Sequence, residues 1–587
     1  MSMSSSRLQT KSQRNFLFLF ALGVILIAAF ILRYKAIKFG FPVITHPDEP
    51  VIYKSAVRMI KTRNLHPQTF LYPSFYFYLQ ALLYKAVFFI GKLRGVFQNF
   101  SDVSYLTLYF WGRFLTVIMS TGTIFLTYLL GRRLFNQTTA LLSALFVSLS
   151  FLHWENSFLI TTDSPMGFWV LLSFLMSVLI LTGEPKLRHY LLNGLFIGLA
   201  IGTKYNAVFV LLPLIAAHLF KTSFSLKRLF DKKLLLAFLV VPIVFVLTTP
   251  YAVLDFSLFW DFLKFQNRAY QAFPFGIEGN AVSFGGYFHG LLGGYGIIPM
   301  ILAGFGIFFA FRKSLPSAVF LISFPLPFYL FMGAYPRVFV RNMVAVVPFL
   351  SILGAFGAFQ LTRYLWRWGS PPEAFRRKLG WALSIAVVIG TGWGLCSQGV
   401  KAYHYVRVMT LPNTRWLAEI WIQQHIPAGA RIIKESYTPS IRKKCKVVDL
   451  GVAGFAKKRV RYTLEEFDYI ILSSGSYDRF FADPESFPDE VRIYRNIMST
   501  HPLRKIMIPD NKTTSGPVIR IHKVRKRVSV RTSKASPSDE RQLLFPFIDI
   551  AAQSTIYFRH GLEGRFIAPS GHSTRGKKWR LDTPPIF

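Results

Sequence analysis

The chain has 587 residues, of which 52% are hydrophobic, 17% aromatic and only 16% charged, and its mean hydropathy is +0.37; this excludes an ordinary soluble domain and reads as an integral membrane protein. The formal charge of +40 is spread over short loops between apolar runs, and the lack of a basic stripe or nucleic-acid fingerprint sets nucleic acid aside in favour of anionic lipid heads and phosphate-bearing substrates. With two cysteines, Cys396 and Cys445, the chain holds neither a disulfide framework nor a CxxC metal site.

The opening stretch to residue 40 has a basic start and an apolar run without a small-x-small cleavage site, so it reads as an uncleaved first transmembrane helix at 15–32. Further runs long enough to cross ~30 Å of hydrocarbon lie at 109–130, 138–157, 165–182, 233–250, 289–310, 317–334, 343–362 and 380–397. The run 190–220 is broken by GLAIGTKYNAV, which predicts two short helices folding back. The expected fold is mainly α, a polytopic membrane protein of about eleven transmembrane helices followed by a small extracytoplasmic α/β domain. The positive loops fall on one side if the N-terminus is cytoplasmic, which leaves 33–108, 251–288 and everything after 397 outside. Counting 71–91 as a span would invert that pattern, so this segment is read as interfacial. The Gly- and aromatic-rich loop 267–296 suits a mobile lid over a sugar site or an interfacial linker equally well.

From residue 412 the segments RWLAEIWIQQHIP, ARIIKES, KKCKVVDL, FDYIILSS and GPVIRIHKV predict an amphipathic helix and short strands. The expected organisation is a transmembrane module over 1–397 whose first external loop is 33–108, an extracytoplasmic α/β domain over 398–524, and a basic, flexible tail over 525–587.

In a chain with 28 acids against 68 bases, ITHPDEP at 44–50 places Asp48 and Glu49 just after the first span. Taken alone, the pair also fits a solvated acidic loop. Asp163, in TTDSP, is a second acid at the same level, readable as a substrate-positioning group or as a helix N-cap. Arg113, Lys204, Arg337 and Arg341 stand at external span ends, where a lipid phosphate would emerge; for Arg337 and Arg341, snorkelling at the interface is the competing reading.

The order of these features resembles the GT-C membrane glycosyltransferases, in the protein O-mannosyltransferase and aminoarabinose transferase branch that uses a polyprenyl-phosphate-linked sugar. The resemblance runs from residue 15 to about 524 and rests on HPDEP, the LYPSFYFYL turn, WGRFLTVIMS, TTDSP, GLAIGTKYNAV, RNMVAVVPFL, TRWLAEIWIQQHIPAGARI, and SGSYDRF followed by GPVIRIHKV as final strands. YPS lacks the second Pro of the family's turn. The resemblance implies an inverting hexosyl- or mannosyltransferase in which Asp48 is the general base, Glu49 supports the loop and Asp163 assists. It further implies that Arg113, Lys204, Tyr205, Arg337 and Arg341 hold the donor phosphate, with His46, Tyr72 and Glu155 as candidate substrate-binding residues. The implied partners are the polyprenyl-phosphate sugar, an acceptor protein, lipid or glycan, and membrane lipids. No cofactor and no metal are expected, since no cluster has ligand spacing, although relatives differ in their use of a divalent ion. A transporter or lipid flippase is the alternative, with a receptor-like scaffold as a third reading.

Overall fold

A computed structural model describes residues 2–222, 224–271, 283–369, 374–441, 444–451, 454–456 and 463–525. The chain divides into two units, one running to Thr410 and the other starting at Leu411. This division lies past the expected 397/398 boundary because the last membrane helix continues to Met409.

The first unit is helical. It begins with α1 (Ser2–Lys35), and the loop that follows leads into α2 (Glu49–Thr62) and α3 (Phe75–Leu93). Next come α4 (Tyr105–Leu134), α5 (Gln137–Leu149), α6 (Phe151–Glu155), α7 (Asp163–Thr182), α8 (Leu187–Thr203) and α9 (Leu211–Lys221). They are followed by α10 (Lys232–Thr248), α11 (Tyr251–Leu254), α12 (Phe256–Gln271), α13 (Phe284–Tyr295) and α14 (Ile297–Lys313). The last four are α15 (Leu315–Ile322), α16 (Pro325–Gly333), α17 (Val347–Trp368) and α18 (Ala374–Met409).

Among the described residues, five stretches are long and apolar enough to cross a membrane: Asn15–Lys38, Tyr105–Leu134, Asp163–Thr182, Leu315–Gly333 and Phe375–Met409. Helices α13 and α14 meet the same test only when taken together, and they are bent by 110° at Gly296, where φ is +104° and only glycine is unstrained. Among the described residues the expected count of eleven is thus not confirmed, since several apolar runs form helices shorter than these. The run 138–157 breaks at Ser150, whose hydroxyl caps α6 by accepting from the His153 N–H. The run 190–220 breaks at Lys204 into α8 and α9, and the two fold back as expected: Tyr190 in the first turn of α8 meets His218 in the last turn of α9 at 2.7 Å, and both helices pack along α7.

Helix α7 is the axis of this unit and packs on α4, α8 and α9; its Phe174 meets the rings of Phe320 and Phe349. Close approach elsewhere comes from small residues: a Cβ on Gly306 or Gly357 would collide with the backbone of the facing helix, so α14 and α17 touch backbone to backbone. Segment 71–91 is largely α3, a helix that is not among the stretches apolar enough to span. Of the proposed lid or linker, residues 272–282 lie outside the described residues, as does the tail from 526.

The second unit holds α19 (Thr414–His425), β1 (Arg431–Lys434), β2 (Lys446–Asp449), β3 (Tyr469–Ser473), α20 (Ser474–Phe481), α21 (Pro488–Thr500), β4 (Leu503–Met507) and β5 (Ile519–Lys523). The sheet order is β2-β1-β3-β5-β4, with β1 parallel to β2 and β3, and β5 antiparallel to β3 and β4. Strand alternation sends Ile432, Ile471, Ile519 and Ile521 to the α19 face, and Ile433, Ile470 and Leu472 to the face covered by Phe480 and Tyr494. The segment SGSYDRF, expected among the final strands, is instead α20. Ser473 caps it by accepting from the Gly475 N–H, which makes the residue after β3 a helix start.

Candidate active site

His46, Pro47 and Asp48 form the entry to α2. Asp48 is its N-cap residue but makes no capping hydrogen bond, which leaves the carboxylate available to other partners. It is 2% exposed, and Arg341 Nη1 lies 3.0 Å from its Oδ2. Arg341 sits on a short 3₁₀ helix, Val340–Ala345, just before Val347 and Pro348 start α17. Its Nε lies 3.6 Å from Asp163 Oδ2, so one guanidinium stands between two carboxylates.

Asp163 is the first residue of α7. Thr162 occupies the N-cap position without a side-chain bond, so the capping reading of Asp163 is not what the structure shows. Its carboxylate goes to Lys204, whose Nζ donates to Asp163 Oδ1 at 2.5 Å and to Asn342 Oδ1 at 2.7 Å. Lys204 takes extended backbone at the break after α8, and this gap in the helix brings a buried ammonium to α7. Asn342 in turn donates to the hydroxyls of Tyr287 and Tyr270. Burial opposes the charge of Arg341, but Asp48, Tyr72 and Asp163 outweigh it, so the guanidinium stays ionised. Both carboxylates also stand at helix N-termini, where the dipole favours an anion.

Tyr72 lies in the field of Asp48, Arg341 and Asp163, and burial first, with the carboxylates second, pushes its phenol well above the ordinary value, so it remains neutral. Its loop is fastened from four directions. Arg58 donates to the carbonyls of His66 and Pro67, Tyr205 to Phe70 O, and Gln266 to Phe70 O and Leu71 O, while His66 meets Asp255 at 3.0 Å. Tyr205 is thus a holder of the Tyr72 loop. His46 accepts from the Asp48 N–H through Nδ1; burial lowers its pKa against the opposing pull of Asp48 and Glu49, leaving a neutral imidazole.

Glu49 and Arg113 form a separate closed clamp. Arg113 donates from Nε and Nη2 to the two Glu49 oxygens at 2.7 and 2.6 Å, and from Nη1 to Ile37 O and Phe39 O, both at 2.7 Å. Ile160 N–H supplies a third bond to Glu49. Burial alone would raise the Glu49 pKa, yet the charge and hydrogen bonds of Arg113 hold it below the usual range. Arg113 does not open its span, as the sequence suggested, but lies in the third turn of α4 with a fully buried side chain. Of the five expected phosphate holders, then, Lys204 and Arg341 meet at the acids, while Arg113 is committed to Glu49 and the loop before α2 and Tyr205 donates to Phe70 O. Arg337 donates to Ala269 O, and its guanidinium and that of Arg341 both lie over the Phe339 ring, at 5.2 and 4.9 Å. Glu155 lies at the end of α6, in the field of Lys401.

Asn342, Tyr270 and Tyr287 were not singled out in the sequence. Asn342 follows Arg341 in RNMVAVVPFL and was within reach of that motif; the two tyrosines carry no spacing signal. Among the described residues no group of three His, Cys, Asp or Glu is arranged to hold a metal.

Residues 108–252, which include Arg113, Asp163 and Lys204, match the sequence model of the dolichyl-phosphate-mannose-protein mannosyltransferases. No curated protein sequence matches the chain. Among solved structures, ArnT from Cupriavidus metallidurans in the apo state aligns over 87% of this chain and 98% of its own, with TM-score 0.50 and 12% identity. The same protein bound to undecaprenyl phosphate aligns with TM-score 0.49, 12% identity and the same coverage. The Archaeoglobus fulgidus oligosaccharyltransferase tethered with an acceptor peptide aligns over 84% of this chain and 74% of its own, with TM-score 0.49 and 12% identity. At such identity the likeness to apo ArnT is one of fold.

Proposed function

We propose that this chain, a member of the GT-C superfamily of membrane glycosyltransferases, transfers a mannose-like hexose from a polyprenyl-phosphate carrier to an acceptor hydroxyl on a protein, lipid or glycan. The reaction takes place at the extracytoplasmic face and inverts the anomeric carbon. The observation that carries this reading is the meeting of buried Asp48, Asp163 and Lys204 with half-buried Arg341 in one group. The description of the family model supports the lipid-phosphate donor and the mannosyl group.

In this reading Asp48 accepts the acceptor proton as the acceptor oxygen attacks the anomeric carbon from the face opposite the phosphate. The bond from that carbon to the phosphate oxygen breaks, and its electron pair stays on the departing phosphate. Lys204 and Arg341 receive the charge that grows there, in a dry setting where charge-assisted bonds are strongest. Asp163 holds Lys204 in place, and Tyr72 and Tyr270 line the acceptor side. Glu49 and Arg113 keep the Asp48 loop rigid, and Arg337 adds positive field beside Phe339.

The test is the purified protein incubated with polyprenyl-phosphate mannose and a hydroxyl acceptor. Release of polyprenyl monophosphate that depends on the acceptor, with an inverted anomeric configuration by NMR, is expected. Retention of configuration would defeat the mechanism. Flux of the lipid-linked sugar across sealed vesicles with no covalent product would favour a transporter instead.

A further inference from the structure

The ion pairs of the site close on themselves. Asp48, Glu49 and Asp163 bring three negative charges, and Arg113, Lys204 and Arg341 bring three positive ones. A donor phosphodiester adds a negative charge to this balanced group, so a cation that serves it must loosen its hold on a carboxylate. Arg113 is locked by bidentate pairing and two carbonyls, and Lys204 by Asp163 and Asn342. Arg341 is the looser one: its two contacts are 3.0 and 3.6 Å long, and its side chain retains 14% exposure against 0% and 9% for Arg113 and Lys204.

Resting on the reaction just described, we propose that Arg341 is exchanged between Asp48 and the donor phosphate. With no donor bound it covers Asp48, the proposed base; donor binding draws it to the phosphate and uncovers the carboxylate. Transfer completes the exchange: the acceptor proton neutralises Asp48 while the electron pair of the broken bond makes the phosphate a dianion, so negative charge leaves one partner of Arg341 for the other. Base activation is thereby tied to donor occupancy. Arg341 is a positioning residue for Asp48 as well as a phosphate ligand.

The test is a binding cycle on detergent-solubilised full-length protein with undecaprenyl monophosphate as the probe. If Asp48 and the phosphate compete for Arg341, then Asp48→Asn binds the probe more tightly than wild type, on the order of tenfold. That gain disappears in Arg341→Gln and persists in Arg337→Gln. A gain that survives in Arg341→Gln would reduce the effect to simple repulsion between Asp48 and the phosphate, and absence of any gain would show no competition; either overturns the exchange. Failure of the wild type to bind the probe at all would remove the donor reading, and this proposal with it. A second measurement needs no variant at the arginine: infrared difference spectra of wild type with and without the probe should show a carboxylate band that shifts on binding and is missing in Asp48→Asn. A spectrum without that band would contradict the exchange.

Discussion

Replacing Arg113 with alanine separates a structural clamp from a phosphate ligand. The substitution leaves Glu49 fully buried with the Ile160 N–H as its remaining bond and takes the donor from Ile37 O and Phe39 O. Breaking one side of a buried ion pair costs about 3–5 kcal/mol, and each buried carbonyl left without a donor costs about 1–3 kcal/mol more. Against a typical total stability of about 5–15 kcal/mol, Arg113→Ala is expected to lose most of the folded population, read as collapse of the monodisperse peak in fluorescence-detected size exclusion. Glu49→Gln should fail in the same way, since it strands the guanidinium. The pair Glu49→Leu with Arg113→Met removes both charges and should recover much of the loss, because a buried ion pair adds little over apolar packing of the same volume. If Arg113→Ala stays monodisperse with an unchanged melting temperature and instead weakens binding of polyprenyl phosphate, the clamp assignment is wrong.

Other expectations follow from neighbouring groups. Lys204→Ala should raise KM for the donor and lower kcat together, by at least about tenfold each, because a charge-assisted contact to the departing phosphate is lost in both states; steady-state kinetics with unchanged parameters would place the phosphate elsewhere. In the second unit, Glu435 is fully buried, accepts from Ser473 N–H and Tyr494 Oη–H, and is raised by burial from 4.5 to about 8. Its protonated form is favoured in the fold, so its contribution is fully present below pH 4.5 and is lost as pH rises through about 8. Glu435→Gln should flatten that slope, seen as amide protection at β1 and β3, corrected for the intrinsic base-catalysed exchange rate, that no longer falls between pH 4.5 and about 8; an unaltered slope would assign it to another group. Tyr270→Phe should leave donor KM nearly unchanged while raising acceptor KM a fewfold, and equal effects on both would remove Tyr270 from the acceptor side.

Much of this was legible in the sequence wherever a local signal and a tertiary demand coincide. The interruption GLAIGTKYNAV marks a real break because a lysine in a continuous apolar helix would face lipid, whereas at a helix end it reaches Asp163. The alternating runs around Ile432, Ile470 and Ile521 gave their strands correctly because each faces packed layers on both sides. The edge strand β4, with charged Arg504 and Lys505 exposed, has no such pattern and was not anticipated. The helix α20 was taken for strand because a Ser-Gly-Ser start resembles a turn until the capping bond is seen. The span count was not legible in the same way, because apolar composition records burial, and packing against protein satisfies it as well as lipid does. Among the site residues, Arg113 illustrates the limit. Its residue type fits a phosphate ligand, but its partners, Glu49 and two carbonyls, come from segments more than sixty residues away, which no local motif discloses.

The central claim is that Asp48 removes the acceptor proton. The most direct test is the rate of acceptor-dependent polyprenyl monophosphate release in proteoliposomes by Asp48→Asn, at wild-type expression and with donor binding confirmed. The account predicts a loss of at least about a hundredfold in kcat with the donor still bound. Activity within a fewfold of wild type would contradict it.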